Sequence, residues 1–232
     1  ISKLMSTYGF DLSKWKHFAS ACAIIVLPMI FIVGQKETGS ALVYFAFFLM
    51  LYREGMSGSF LFTGVAMIIY FIIGIRYAEP TIWDIPTSVG HFSVLLMVQV
   101  FTSALVWVYC KDSNTAKTIF GYCVGITIGS LLFAEYVIPF DIVWVQLILC
   151  AAMVGYLLYC VLKQRIRQYF FIMLFALGSI TFFYSADYVL NHVMQPHQRV
   201  RINVLLGLEQ DLAGAGYNVH QSEIAIGSGG LE

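Results

Sequence analysis

Charge is scarce in this sequence. Asp, Glu, Lys and Arg make up only 11% of its 232 residues, while 59% are hydrophobic and 16% aromatic. Soluble domains carry roughly 25% charged residues, so the composition argues against a globular cytosolic enzyme. Thirteen basic residues balance thirteen acidic ones, which leaves no electrostatic footprint for a nucleic-acid partner. The five cysteines (Cys22, Cys110, Cys123, Cys150, Cys160) all fall inside or at the edge of apolar runs, without a Cys-x-x-Cys pair or a Cys/His metal spacing. Buried cysteine of this kind behaves as a small hydrophobe. His17, His91, His197 and His220 form no metal pattern either, and Gly227-Ser228-Gly229-Gly230 lacks the Lys-Ser/Thr ending of a phosphate-binding P-loop. No internal repeat and no low-complexity linker interrupts the chain. It opens on Ile1 with no signal peptide of the usual form ahead of the first apolar run, so it is expected to be a fragment of a longer protein.

What is present is membrane. A bilayer core of about 30 Å needs about 20 helical residues, and seven apolar runs qualify, the second marginally: Phe18–Gly34, Ser40–Tyr52, Phe60–Ile75, His91–Cys110, Thr118–Ile138, Ile142–Leu162 and Tyr169–Met194. Pro28 is expected to kink the first. The fold class is therefore all-α: a polytopic membrane helical bundle of about seven transmembrane helices over residues 1–194, then a long extracytoplasmic loop over 195–232. Loop charge sets the orientation. One side holds Lys3, Lys14, Lys16, Arg53, Lys111, Lys117, Lys163, Arg165 and Arg167, and the other holds Lys36, Arg76, Arg199 and Arg201. The first side is predicted to be cytoplasmic, which puts the tail outside.

That tail carries the polar chemistry. Arg199 and Arg201 are spaced to hold two guanidiniums together, suited to phosphate or pyrophosphate oxygens and equally to anchoring on anionic headgroups. Asp211 stands alone ahead of Gly214 and Gly216, where it is either a turn former or a functional carboxylate approached closely by backbone. The loop from Gln35 to Ser40 is either a tight turn with a helix cap or a polar edge on a substrate path. In the last span Asp187 and Asn191 share a helix face at i and i+4, as do Tyr188 and His192; a structural hydrogen bond and a role at the site are both open for them.

These segments together resemble the SEDS family of shape, elongation, division and sporulation proteins, of the RodA type. Gln35-Lys36-Glu37-Thr38-Gly39 is similar to the family's Gln-Pro-Asp-x-Gly, and Gln195 to Arg201 to its Lys-Pro-Tyr-Gln-Arg-x-Arg. Asp211-Leu212-Ala213-Gly214-Ala215-Gly216-Tyr217 resembles Asp-Pro-Leu-Gly-Ser/Ala-Gly-Tyr, and Gln221 to Gly230 resembles Gln-Ser-Lys-Ile-Ala-Ile-Gly-Ser-Gly-Gly. The likeness covers roughly 28–58 and 183–232, whereas residues 60–162 match only in being membrane spans. The family usually has one span between the first motif and the basic one; five are counted here. Four extra spans are an even number and keep the tail on the same side. Departures include Glu37 for Asp, Lys36 for Pro and Glu223 for Lys.

The resemblance implies a peptidoglycan glycosyltransferase that polymerises lipid II on the outer face of the bacterial cytoplasmic membrane during cell-wall elongation and shape control. Its donor would be undecaprenyl-pyrophosphate-linked and its stereochemistry inverting. Asp211 is the implied general base, with Arg199 and Arg201 on the pyrophosphate and Gln35, Glu37, Gln198, Gln221 and Ser222 positioning substrate. The cofactor is left unknown: a divalent cation such as Mg2+ or Mn2+ could share the pyrophosphate charge, and the sequence shows no ligand cluster for a metal. Implied partners are lipid II, a class B penicillin-binding protein, other elongation machinery and membrane lipid. Two other readings are a lipid-linked-precursor flippase, which polar residues within the spans would favour, and a membrane scaffold for the transpeptidase.

Overall fold

A computed structural model describes residues 3, 11–12, 14–34, 43–44, 46–82, 85–194, 196–208, 217, 221, 224 and 227. The chain divides into two compact units, 1–66 and 67–232. The first holds helices α1 (Trp15–Gly34) and α2 (Ala46–Arg53) and the beginning of α3 (Gly58–Arg76), inside which the division falls. α1 continues past Pro28 to Gly34. α2 has eight residues, which span only about 12 Å at the helical rise, so among the described residues the second expected span is too short to cross a bilayer. Leu12, Ala21, Ile25, Leu51 and Met56 form the unit's small core, with the Phe18 and Phe60 rings 4.7 Å apart beside it.

The second unit holds the rest of α3, a two-stranded hairpin (β1, Thr81–Ile82; β2, Ile85–Ser88) and helices α4 to α8. α4 (Val89–Leu105) is prolonged to Cys110 by a π-helical turn. α5 is Ser113–Tyr136 and α6 is Val143–Gln164. α7 (Arg167–Tyr188) is prolonged to Val193 by a second π turn, and α8 is Pro196–Leu205. Five described helices are long and apolar enough to cross a membrane: α3 and α4 to α7, the last counted through Val193. The chain is therefore an all-α polytopic membrane bundle, to which the hairpin is a small addition. α4 is its hub, packed against α5, α6 and α7, while α7 also lies along α6.

Capping sets the span ends. Asp112 accepts from the backbone N–H groups of Asn114 and Thr115, each at 3.1 Å, satisfying donors that a helix start leaves open. α5 thus begins five residues before the expected Thr118, because its polar first turn reads as loop until the cap is recognised. The Tyr169 hydroxyl donates to the same carboxylate at 2.9 Å, joining the turn before α5 to the first turn of α7. At the other end the Thr87 hydroxyl donates to Asp141 at 3.1 Å and accepts from Ile142 N–H at 2.8 Å. This pins the hairpin to the start of α6. Successive spans therefore alternate in direction, with residues 77–82, 85–88, 137–142 and the exit of α7 at one end of the bundle.

Small residues permit the tightest contacts. A Cβ on Gly90 would stand 2.6 Å from the Gly74 carbonyl oxygen and 2.9 Å from Tyr77 backbone, and one on Gly74 would run into the Phe183 ring. The burial pattern is inverted relative to a soluble domain. Ile148, Leu162 and Phe171 are exposed, whereas Gln99, Thr127, Gln146 and Ser179 are buried. Lipid tails are as apolar as these side chains, so helix association rests on packing and on interhelical hydrogen bonds. Gln99 Nε2 donates to Gln146 Oε1 at 2.7 Å, and Gln146 Nε2 donates to Thr127 Oγ1 at 2.8 Å. This chain ties α4, α6 and α5 together in the membrane interior.

Candidate functional site

Of the polar residues singled out in the sequence, Asp187, Tyr188, Asn191, His192 and Arg199 come together where α7 leaves the bundle. In α7 the i, i+4 spacing brings Asn191 Nδ2 to Asp187 Oδ1 at 3.0 Å, and Tyr188 stacks on His192 with centroids 4.8 Å apart and planes at 14°. Asn191 and His192 lie in the π turn Val189–Val193, closed by Met194 N–H donating to the Val189 carbonyl at 2.9 Å. Such turns add a residue to the helical circuit and re-aim the side chains that follow.

α8 begins directly afterwards. Pro196 occupies its first position, where a missing N–H costs nothing and the fixed φ suits a helix. Gly207, at φ 68°, ends it. The Gly207 N–H donates to the Val204 carbonyl and the Leu208 N–H to the Asn203 carbonyl, the paired bonds of a Schellman cap. The expected loop after residue 195 therefore starts as a helix, and that helix carries the basic motif. Arg199 donates from its Nη2 to Asn191 Oδ1 at 2.9 Å. A continuous line thus runs from the Asp187 carboxylate through the Asn191 amide to the Arg199 guanidinium.

Gln198 and Arg201 lie on the same helix, and Gln221 is exposed. Gln35, Glu37, Asp211 and Ser222 fall outside the described residues. Among the described residues no three His, Cys, Asp or Glu side chains stand close enough to hold a metal ion. On α7, Thr181, Tyr184, Ser185 and Tyr188 line a shallow open groove.

Relatives sharpen the picture. The family profile described as "Cell cycle protein", which joins FtsW, RodA and SpoVE, matches residues 137–232. Peptidoglycan glycosyltransferase RodA of Treponema pallidum (strain Nichols) is 27% identical over 216 residues, 93% of this chain and 40% of that protein. The likeness is to RodA-type proteins, and the family profile covers the last two-fifths of the chain. A 39-residue stretch, 17% of the chain, is 56% identical to peptidoglycan glycosyltransferase MrdB of Escherichia coli (strain K12), covering 10% of it, and equally to MrdB of Shigella flexneri. No solved structure matches. The chain spans about 40% of the length of the RodA relative. A match over 216 of 232 residues necessarily takes in the spans between 60 and 162, so likeness to that relative is not confined to the two ends. With five long apolar helices, the chain is a multi-pass membrane protein.

The sequence reading missed the Gln99–Gln146–Thr127 line. Its signal was two glutamines in otherwise apolar runs, Gln99 near the middle of one and Gln146 near the start of the other. Each amide hydrogen of the Gln146 to Thr127 and Gln99 to Gln146 steps meets a protein acceptor, as expected of structural glue in lipid.

Proposed function

We propose that this chain contributes part of the catalytic region of a peptidoglycan glycosyltransferase, polymerising lipid II into glycan strands for cell-wall elongation and shape. The carrying observation is the likeness to a peptidoglycan glycosyltransferase RodA along 93% of the chain, joined to a basic motif on a helix that leaves the membrane end. In the reaction an acceptor sugar hydroxyl attacks the anomeric carbon of the donor. The new C–O bond forms as the bond to the lipid pyrophosphate breaks, so an α-linked donor gives a β-1,4 product by inversion. The hydroxyl proton passes to a base, and negative charge develops on the departing pyrophosphate.

Asp211 takes the proton in this reading, and Arg199 and Arg201 meet the pyrophosphate. A guanidinium suits that task because it offers five fixed donors and keeps its charge. Gln198, Gln221 and Ser222, and separately Gln35 and Glu37, are each proposed to position substrate. The lysine and arginine distribution supports an extracytoplasmic location for the tail. A class B penicillin-binding protein is the proposed working partner, as the resemblance implies.

Purified full-length protein in liposomes, supplied with fluorescent lipid II, tests the reading. A ladder of glycan strands is expected with externally added substrate. Transfer of lipid II across the bilayer with no polymer would instead establish the flippase reading.

A further inference from the structure

We propose that Asp187 and Asn191 are positioning residues for Arg199, and that the neutral amide between the two charges is what keeps the guanidinium available to an anionic ligand. The inference rests on the reading of Arg199 as a pyrophosphate contact. Asp187 presents a carboxylate oxygen, an acceptor when ionised, so it draws the Asn191 amino group toward itself, with Nδ2 to Oδ1 at 3.0 Å. The amide plane then turns its carbonyl oxygen the other way, where Arg199 Nη2 donates to it at 2.9 Å. The carboxylate thus dictates which end of the amide Arg199 meets.

Two consequences follow. One amino group of the fork is fixed, while the guanidinium has further N–H donors with which to grip phosphate oxygens in a bidentate manner. Its charge is also steadied by a dipole rather than cancelled by an adjacent anion. A carboxylate in place of Asn191 would compete with the pyrophosphate for the same cation. The π turn matters here because it carries Asn191 within the segment that directly precedes α8. Asn191 and Arg199 are exposed and Asp187 is half-buried at the bundle end, and none of the three belongs to the buried core.

Steady-state kinetics of the full-length protein with fluorescent lipid II, run as a double-mutant cycle, test the relay. Asn191→Ala and Asn191→Asp are expected to raise KM for the lipid-linked substrate about tenfold with kcat little changed, the size expected for one weakened charge-assisted hydrogen bond. Asp187→Asn is expected to do the same in part, and Asp187→Glu to restore wild-type behaviour. In an Arg199→Ala background the Asn191 change should have no further effect. If Arg199→Ala lowers kcat/KM and Asn191→Ala adds its own full loss on top, the relay is wrong and the pyrophosphate assignment stands. If Arg199→Ala leaves kcat/KM untouched, the pyrophosphate assignment fails and takes the relay with it. Thermal unfolding of each variant in detergent should stay at the wild-type midpoint, and a KM change that instead tracks lost stability would overturn the positioning role.

Discussion

Replacing Gln146 by leucine probes how the bundle is held together. The side chain is fully buried, accepts one hydrogen bond at 2.7 Å and donates another at 2.8 Å. Interhelical polar bonds in a membrane average about 0.6 kcal/mol and reach about 1.7, so losing two costs about 1–3 kcal/mol. Gln99 is then left with a 3.5 Å approach to the residue-146 carbonyl oxygen, long for an N–H···O bond, and a 3.5 Å contact to Cys150 Sγ, a weak acceptor. Substituting both glutamines removes donor and acceptor together, which is close to neutral when the replacements keep shape. The Gln99→Leu/Gln146→Leu double variant should therefore be less destabilised than the sum of its single variants by about 1 kcal/mol. Reversible unfolding in mixed micelles, followed by helical circular dichroism, measures all three. Strict additivity would show that the two amides do not act as one unit, and the account of the core would fail.

Three further outcomes are expected. The Asp112 carboxylate is held below the usual range by the Thr115 hydroxyl, then by the Thr115 backbone N–H, with Tyr169 and Asn114 adding to it. A depressed folded-state value stabilises the protein above the unfolded value of about 3.9, so this contribution is intact at neutral pH and disappears as pH falls below about 4. Asp112→Asn should flatten that acid limb in pH-dependent unfolding, and an unchanged limb would contradict it. Asp112→Ala removes the cap and takes from the buried Tyr169 hydroxyl its carboxylate acceptor, costing about 2–3 kcal/mol; a midpoint equal to wild type would contradict the cap. Gly90→Ala forces backbone apart at Gly74 and Tyr77, so unfolding should show a loss of about 1–3 kcal/mol, and a neutral result would mean that α3 and α4 are not in close contact there.

The spans were legible because hydropathy over some twenty residues is a strong signal. Phe60–Ile75, His91–Cys110 and Ile142–Leu162 each fall within two residues of the ends of α3, the prolonged α4 and α6. The start of α5 was not, since its first turn is polar and only Asp112 reveals it as capped. The hairpin escaped because two- and four-residue strands, one with Pro86 in it, are shorter than any alternation that could be counted. At the site, the Asp187–Asn191 and Tyr188–His192 pairs were readable from helical spacing alone. The link from Asn191 to Arg199 was not, because it depends on α8 turning back after the π turn, which no local pattern encodes. Likewise a glutamine in an apolar run shows that a partner is needed, without saying which helix supplies it.

Asp211 is the residue on which the proposed chemistry turns, and one substitution tests it most directly. Full-length wild-type protein and Asp211→Asn, reconstituted at equal amounts in bilayers of the same composition, should be given labelled lipid II and their products resolved by gel. Glycan strands are expected from the wild type and none above background from the variant, with both proteins inserted and equally stable. Strands of wild-type length and yield from Asp211→Asn would contradict it.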